Sequence, residues 1–134
     1  MDPNRLTAIP IFSDLSEEEA RRLATFATET SVADGQILMK QGDYSVELIA
    51  IEEGTADVIR DGDKVASLKE GDLIGEMGLL ERRPRNADVI ATSPMRVLKL
   101  THWEIRRMSQ DTVDRIQKTI EERRSAGVGD PGEG

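Results

Sequence analysis

Between Thr28 and Leu100 the chain is divided into short apolar segments by turn signals that recur at regular intervals. Each signal places glycine beside an acidic residue, and the segments between the signals are rich in β-branched and aliphatic side chains. This spacing is typical of β-sandwiches and β-barrels. It predicts strands at residues 28–33, 37–40, 47–52, 55–60, 64–68, 87–92 and 95–100. The expected turns are Asp34-Gly35, Gly42-Asp43, Glu53-Gly54, Asp61-Gly62-Asp63 and Gly71-Asp72.

The residues before this region have a helical pattern. Ser16 and Glu19 form a Ser-x-x-Glu capping box, which predicts a helix over Glu17–Phe26. Pro10 interrupts the apolar residues that precede the box. Because proline cannot sit inside a helix without breaking it, we expect a short helical turn and an irregular connector there.

Helical spacing returns after Leu100. It predicts helices at 102–108 and 111–124, the second with Asp111 as candidate N-cap. The apolar stripe of these helices covers the barrel or forms a dimer seam, and it consists of Ile105, Met108, Val113, Ile116 and Ile120. Taken together, the patterns predict a mostly β fold with flanking α: an antiparallel β jelly-roll barrel with an N-terminal helix and C-terminal helices.

The length of 134 residues suits one domain, which we place at residues 1–125. Residues 126–134 contain four glycines and one proline and predict a disordered tail. No apolar run approaches the roughly 20 residues that span a bilayer, and the first residues do not resemble a signal peptide. With no cysteine in the sequence, we expect a cytoplasmic protein that lacks disulfides and has no membrane partner.

The formal net charge is −8, from 26 acidic and 18 basic residues. Binding to nucleic acid depends on neutralising phosphates with lysine and arginine, so this charge opposes it. We therefore expect no nucleic-acid partner.

The stretch from Gly75 to Ala87 contains an unusual combination of groups. Two glycines, Gly75 and Gly78, lie on either side of Glu76. Arg85 lies nine positions after Glu76 and directly follows Pro84. Glycines let backbone N–H groups approach an anion closely. The arginine fork suits a phosphate, and the carboxylate suits a pair of hydroxyls. One small site could therefore hold a phosphate and a sugar together.

Ile74-Gly75-Glu76-Met77-Gly78-Leu79-Leu80, followed by Pro84-Arg85-Asn86-Ala87, resembles the phosphate-binding cassette of cyclic nucleotide-binding domains. That family includes bacterial catabolite-activator regulators, kinase regulatory subunits and nucleotide-gated channels. The resemblance covers roughly residues 6 to 122. It implies that Arg85 pairs with the phosphate, that Glu76 accepts from the ribose 2′-hydroxyl, and that nearby backbone N–H groups complete the site. The ligand-binding residues it implies are Gly75, Glu76, Met77, Gly78, Arg85, Asn86 and Ala87.

Asn86 departs from the family pattern, which usually has serine, threonine or alanine at this position. An amide both donates and accepts hydrogen bonds, so the departure leaves the base preference open. On the resemblance to the bacterial regulators we favour cAMP over cGMP. A second departure, Ser45-Val46 where a further Gly-Asp pair is usual, affects the hairpin after Gly42. These departures motivate the alternative of a degenerate domain that serves as a ligand-free protein-interaction scaffold.

The sequence gives no support for an enzyme. Jelly-roll metalloenzymes need several histidines with a carboxylate, and His102 is the only histidine in the chain. We therefore predict no catalytic residues and no metal. The main hypothesis is a non-enzymatic sensor in which cAMP or cGMP repositions the C-terminal helices toward an unidentified protein effector. A homodimer through the last helix is also compatible with the sequence.

Overall fold

The computed structural model describes residues 1–43, 47–74 and 87–125 of the 134-residue chain. The first elements are α1 (Pro3–Thr7), a 3-10 turn (Pro10–Phe12) and α2 (Glu17–Phe26). The strands are β1 (Thr28–Val32), β2 (Ile37–Met39), β3 (Glu47–Glu53), β4 (Ala56–Arg60), β5 (Asp63–Leu68), β6 (Leu73–Ile74), β7 (Asp88–Ala91) and β8 (Met95–Thr101). The last elements are α3 (His102–Arg106) and α4 (Gln110–Ser125).

Helix α2 begins at the capping box that the sequence predicts. The Ser16 hydroxyl accepts the Glu19 N–H at 3.1 Å, and the Glu19 carboxylate accepts the Ser16 N–H at 2.8 Å. Two N–H groups that have no partner inside the helix are thereby satisfied. The predicted helix and its boundaries are confirmed, as is the short helical turn before it.

The described strands form two antiparallel sheets of four strands each. One sheet has the order β1-β8-β3-β6, and the other has the order β2-β7-β4-β5. The predicted mostly β, jelly-roll type of fold with flanking helices is confirmed. Within the described residues the sheets face each other as two separate ladders and not as one closed barrel, and the edge strands β6 and β2 are only two and three residues long.

The strand β6 is absent from the prediction, which has no strand between residues 68 and 87. Leu73 pairs with Ala50 and Ile74 pairs with Ile49, which places β6 at the edge of the first sheet. A strand of two residues is too short to show an alternating pattern. The other strands lie within one residue of their predicted ends.

The core between the two sheets follows from the alternation of side chains along each strand. In β3, Ile49 and Ile51 point toward the second sheet, while Leu48 and Ala50 point the other way. In the same manner Val97 of β8 belongs to the inter-sheet core. The inter-sheet core consists of Val32, Met39, Ile49, Ile51, Ala56, Val58, Leu68, Ile74, Ala87, Val89, Ala91, Met95 and Val97.

A second core lies between the first sheet and the helices. Ile105 of α3, Met108 between the two helices and Ile116 of α4 are 1%, 8% and 2% exposed. They share this layer with Phe12 and Leu23. The buried part of the C-terminal stripe therefore covers the sheet, which is one of the two alternatives left open by the sequence. Trp103 is 48% exposed and does not belong to this core. The side chain of Ile120 lies outside the described residues.

The C-terminal helices lie close to their predicted ranges, except at the end of α3 and at the N-cap of α4. Helix α3 ends at Arg106, and α4 begins at Gln110. The predicted N-cap Asp111 is wrong, because it already lies inside the helix. The Ser109 hydroxyl accepts the Thr112 N–H at 3.3 Å and takes this role. No helix in the described chain is long and apolar enough to cross a membrane.

Candidate functional site

The segment 75–86 joins the two sheets and is fixed at both ends. Ile74 ends β6 in the first sheet, and Ala87 precedes β7 in the second. Their side chains are 1% and 0% exposed and belong to the same inter-sheet core. The segment therefore starts and finishes at buried positions, which is a suitable arrangement for a ligand loop on a rigid scaffold.

The predicted site residues fall mostly within this segment. Ala87 is the one that the structure describes, and its methyl group is fully buried. The others, for which the structure gives no description, are Gly75, Glu76, Met77, Gly78, Arg85 and Asn86. Their roles remain predictions.

Three polar side chains connect the turns at the rim where the segment ends. The backbone N–H of Gln41 donates to the Asp88 carboxylate at 2.7 Å. The Gln41 side-chain amide donates to the Asp61 carboxylate at 2.9 Å and accepts the Asp61 N–H at 3.2 Å. These bonds tie the residues after β2 and β4 to the first residue of β7. They fix the position of Asp88 and so of the neighbouring Ala87.

Two carboxylates lie at this rim. Asp61 and Asp88 lie there, and the whole chain has a net charge of −8. The segment 75–86 departs from this balance, because it contains three arginines and two glutamates. An anionic ligand would thus depend on the arginines of the segment and on backbone N–H groups, with little attraction from the rest of the domain.

The chain that leads into the segment touches both cores. Gly71 donates its N–H to the Ile51 carbonyl at 2.9 Å, and the Ile51 N–H donates to the Asp72 carbonyl at 3.0 Å. Leu73 then packs in the helical layer, while the next residue, Ile74, packs between the sheets. The two residues of β6 therefore contribute one side chain to each core.

A groove of about 680 Å³ lies beside this connection. It is lined by Asn4, Arg5, Ala8, Ile9, Pro10, Ile51, Glu52, Lys69, Glu70 and Gly71. Two carboxylates hold Arg5 at this groove: its Nε donates to Glu52 at 2.9 Å, and its guanidinium also pairs with Glu29. Hydrogen bonding to Glu52 raises the pKa of Arg5. Because these bonds join α1 to β3 and β1, Arg5 holds the first helix on the sheet, and we do not assign this groove a ligand.

A metal centre has no support in the described residues. Across residues 1–43, 47–74 and 87–125, no group of three or more histidine, cysteine, aspartate or glutamate side chains is arranged to hold a metal ion. The side chain of His102 is outside this description.

The sequence analysis assigns no role at the site to Gln41, Asp61 or Asp88. It places Asp61 in a turn, and there Asp61 has a positive φ of 53°. The contact between Gln41 and Asp61 joins residues 20 positions apart, and that between Gln41 and Asp88 joins residues 47 positions apart. No local pattern in the sequence predicts either contact.

Two facing antiparallel β-sheets, with helices packed on one of them, define a class of small β domain of the jelly-roll type. The family model described as cyclic nucleotide-binding domain matches residues 29–112, more than half of the chain. The chain therefore belongs to the cyclic nucleotide-binding domain family, and the resemblance described above is confirmed.

Among curated proteins the chain resembles kinase regulatory subunits. It is 32% identical over 115 residues to the cAMP-dependent protein kinase regulatory subunit of Yarrowia lipolytica, covering 84% of this chain and 31% of that protein. It is 31% identical over 124 residues to the type II regulatory subunit of Drosophila melanogaster, covering 87% of this chain and 32% of that protein. The chain thus spans about a third of the length of these relatives.

Solved structures show the same fold. A Geobacter metallireducens protein described as cyclic nucleotide-binding superposes with a TM-score of 0.85 at 22% identity, covering 94% of this chain and 97% of that one. The regulatory domain of Toxoplasma gondii protein kinase A, crystallised with cAMP, gives 0.76 at 25% identity, covering 90% of this chain and 48% of that one.

Proposed function

We propose that this domain binds a cyclic nucleotide through the segment 75–86 and Ala87, and acts as a non-enzymatic regulatory sensor. The observation that carries the proposal is the family match over residues 29–112, which includes the whole segment. The burial of both its anchors, Ile74 and Ala87, supports it, because a ligand loop needs fixed ends.

Each polar group of the segment has a role in this proposal. Arg85 pairs with the exocyclic phosphate oxygens, and Glu76 accepts from the ribose 2′-hydroxyl. Backbone N–H groups from Gly75 to Gly78, including that of Met77, and the N–H of Ala87 hold the remaining phosphate oxygens. The hydrogen bonds to the phosphate are charge-assisted, and such bonds are roughly twice as strong as hydrogen bonds between neutral groups.

The proposed ligand is cAMP in preference to cGMP. The names of the kinase regulatory subunits at 31% and 32% identity support this choice, because they specify cAMP. Asn86 lies beside the proposed phosphate contact, and its amide is the group that would adjust the preference for the base.

The proposed response is a repositioning of the C-terminal helices. Support comes from Leu73, which precedes the segment and packs in the same core as Ile105 and Ile116 of those helices. The helices would then present an altered surface to a protein effector. We propose residues 1–125 as the cyclic nucleotide-binding domain and 126–134 as a disordered C-terminal tail. Homodimerisation through α4 remains a prediction.

Calorimetric titration with cAMP and with cGMP tests the proposal, on protein freed of bound nucleotide. We expect saturable binding, tighter for cAMP. Arg85→Ala should weaken it by about ten- to a hundredfold, because a hydrogen bond to a charged group contributes roughly 1.5 to 3 kcal/mol. Arg82→Ala is the matched control, since this arginine of the same segment has no counterpart in the family's motif.

The titration also decides between the nucleotide sensor and the alternative of a ligand-free interaction scaffold. A folded protein that gives no heat with either nucleotide would contradict the sensor and leave the ligand-free interaction scaffold. Equal losses for Arg85→Ala and Arg82→Ala would show that charge in the segment matters without a specific phosphate contact.

A further inference from the structure

Glu19 makes contacts beyond the cap of its own helix. One oxygen accepts the Ser16 N–H within the capping box. The same carboxylate accepts two bonds from Nη2 of Arg115, at 2.9 Å and 2.7 Å, and a bond from the Thr112 hydroxyl. Arg115 and Thr112 belong to α4, more than ninety residues later in the chain. One carboxylate therefore joins the start of α2 to the first turns of α4.

The partners of Glu19 are themselves held in place. Arg115 donates from Nη1 to the Asp14 carbonyl at 2.8 Å and from Nε to Asp111 at 3.2 Å. The Thr112 side chain is 1% exposed, and its hydroxyl lies 2.8 Å from the Ser109 hydroxyl. The guanidinium thus spans from α4 to both the loop before α2 and its first turn. Such a fork geometry is specific to arginine.

Charge strengthens this junction. The Arg115 hydrogen bond, followed by that of Thr112, lowers the pKa of Glu19 to about 2. The side chains of Arg115 and Glu19 are 35% and 18% exposed, so the pair is partly screened by water. It can be broken without leaving a deeply buried charge, as a reversible contact requires.

Apolar packing continues from the same place. Ile116 follows Arg115 and lies in the helical core with Phe12 of the 3-10 turn and Leu23 of α2. This core also contains Leu73, which leads into the segment 75–86. The two helices therefore share both a polar junction and a continuous apolar layer with the strand that enters the ligand segment.

We propose that Glu19 and Arg115 form a latch that makes α2 and α4 open and move as one body. Its role in signalling rests on the proposed function. With the latch closed, a displacement of α4 carries the start of α2 with it. With the latch open, α4 moves alone.

Native-state hydrogen exchange on the full chain without nucleotide tests the latch by itself. In the wild type, amides in the interiors of α2 and α4 should open with one common free energy. Arg115→Gln should separate them, with exchange in α4 roughly tenfold faster, as expected for loss of a charged hydrogen bond. Glu19→Gln should act in the same way, although its amide oxygen still caps α2.

Two further variants make the test specific. Arg21→Gln removes the exposed Arg21–Glu17 pair of 3.1 Å within α2 and should leave the common opening unchanged. The double variant Glu19→Gln/Arg115→Gln should have a smaller effect than the sum of the two single variants, because the two changes remove one shared interaction. Different opening free energies for α2 and α4 in the wild type, or additive single effects, would overturn the proposal.

A second arm adds saturating cAMP. In the wild type we expect α2 and α4 to change protection together; in Arg115→Gln only α4 should respond. A change in α4 alone in the wild type would overturn the latch. If no nucleotide binds, the proposed function fails, while the exchange measured without nucleotide still decides whether the latch exists.

Discussion

The backbone N–H of Gln41 donates to the carboxylate of Asp88 at 2.7 Å, and Asp88 directly follows the buried Ala87. The bond joins the turn after β2 to the first residue of β7. It therefore fixes the backbone at the end of the segment 75–86, where the N–H of Ala87 is a proposed phosphate donor.

Removing this acceptor should weaken nucleotide binding without unfolding the domain. For Asp88→Ala we expect the affinity for cAMP to fall by about two- to tenfold, since one ordinary hydrogen bond contributes roughly 0.5 to 1.5 kcal/mol. Titration calorimetry provides the measurement. Asp88→Asn is the control, because its amide oxygen can still accept the Gln41 N–H. Equal affinity in all three proteins would show that the rim does not position Ala87.

Glu76 allows a separate test of ribose recognition. Glu76→Gln keeps the shape of the side chain and removes its charge, so we expect about a tenfold loss of affinity for cAMP or more. The comparison ligand is 2′-deoxy-cAMP, which lacks the hydroxyl. The wild type should discriminate against it, whereas Glu76→Gln should bind both nucleotides similarly. A fall in melting temperature with unchanged affinity would instead mean that Glu76 only stabilises the fold.

Local patterns predicted most of the fold. The capping box at Ser16 gives the start of α2, and the alternating segments give the strands to within a residue. The turn signals also hold: Gly35, Gly42, Gly54, Gly62 and Gly71 all have positive φ, from 85° to 98°. The strand that was missed depends on a tertiary contact. The two residues of β6 become a strand only because β3 lies beside them.

The candidate site rests on a local motif. Glu76 and Arg85 are predicted from chemistry and spacing within one short segment that the family match covers, and their roles remain predictions. Long-range partners leave no such signal. Glu19 was read as a helix cap, which it is, but its bond to Arg115 unites residues 96 positions apart.

The pH dependence of stability should reveal the charge on Glu19. The pKa of Glu19 is about 2 in the folded protein, against an ordinary value of 4.5 for a glutamate. The ion pair between Glu19 and Arg115 therefore stabilises the fold fully above about pH 5. The contribution declines as the carboxylate is protonated and is lost below about pH 2. At neutral pH the pair contributes at most about 3 kcal/mol to the free energy of unfolding, and solvent screening reduces this contribution.

Urea unfolding of the wild type and of Glu19→Gln from pH 7 to pH 3.5 would measure this contribution. Other carboxylates titrate in both proteins, so the difference between the two isolates Glu19. We expect that difference to be largest at pH 7 and to shrink below pH 5. A constant difference over the whole range would contradict the assigned ion pair.

A side chain at position 54 has no room. Gly54 has a φ of 98°, and a Cβ built on it would lie 2.5 Å from the Pro94 carbonyl oxygen and 2.7 Å from Cγ of Met95. Gly62 has a similar φ of 85° with nothing within 4 Å of such a Cβ. At both positions the positive φ destabilises alanine by roughly 1 kcal/mol, but only at position 54 would the added Cβ also collide with neighbouring atoms.

Gly54→Ala should therefore lower the free energy of unfolding by at least about 2 kcal/mol more than Gly62→Ala, because it must displace the backbone between β7 and β8. Urea denaturation of the two variants measures the difference, and equal losses would show that positive φ alone accounts for the glycine at position 54.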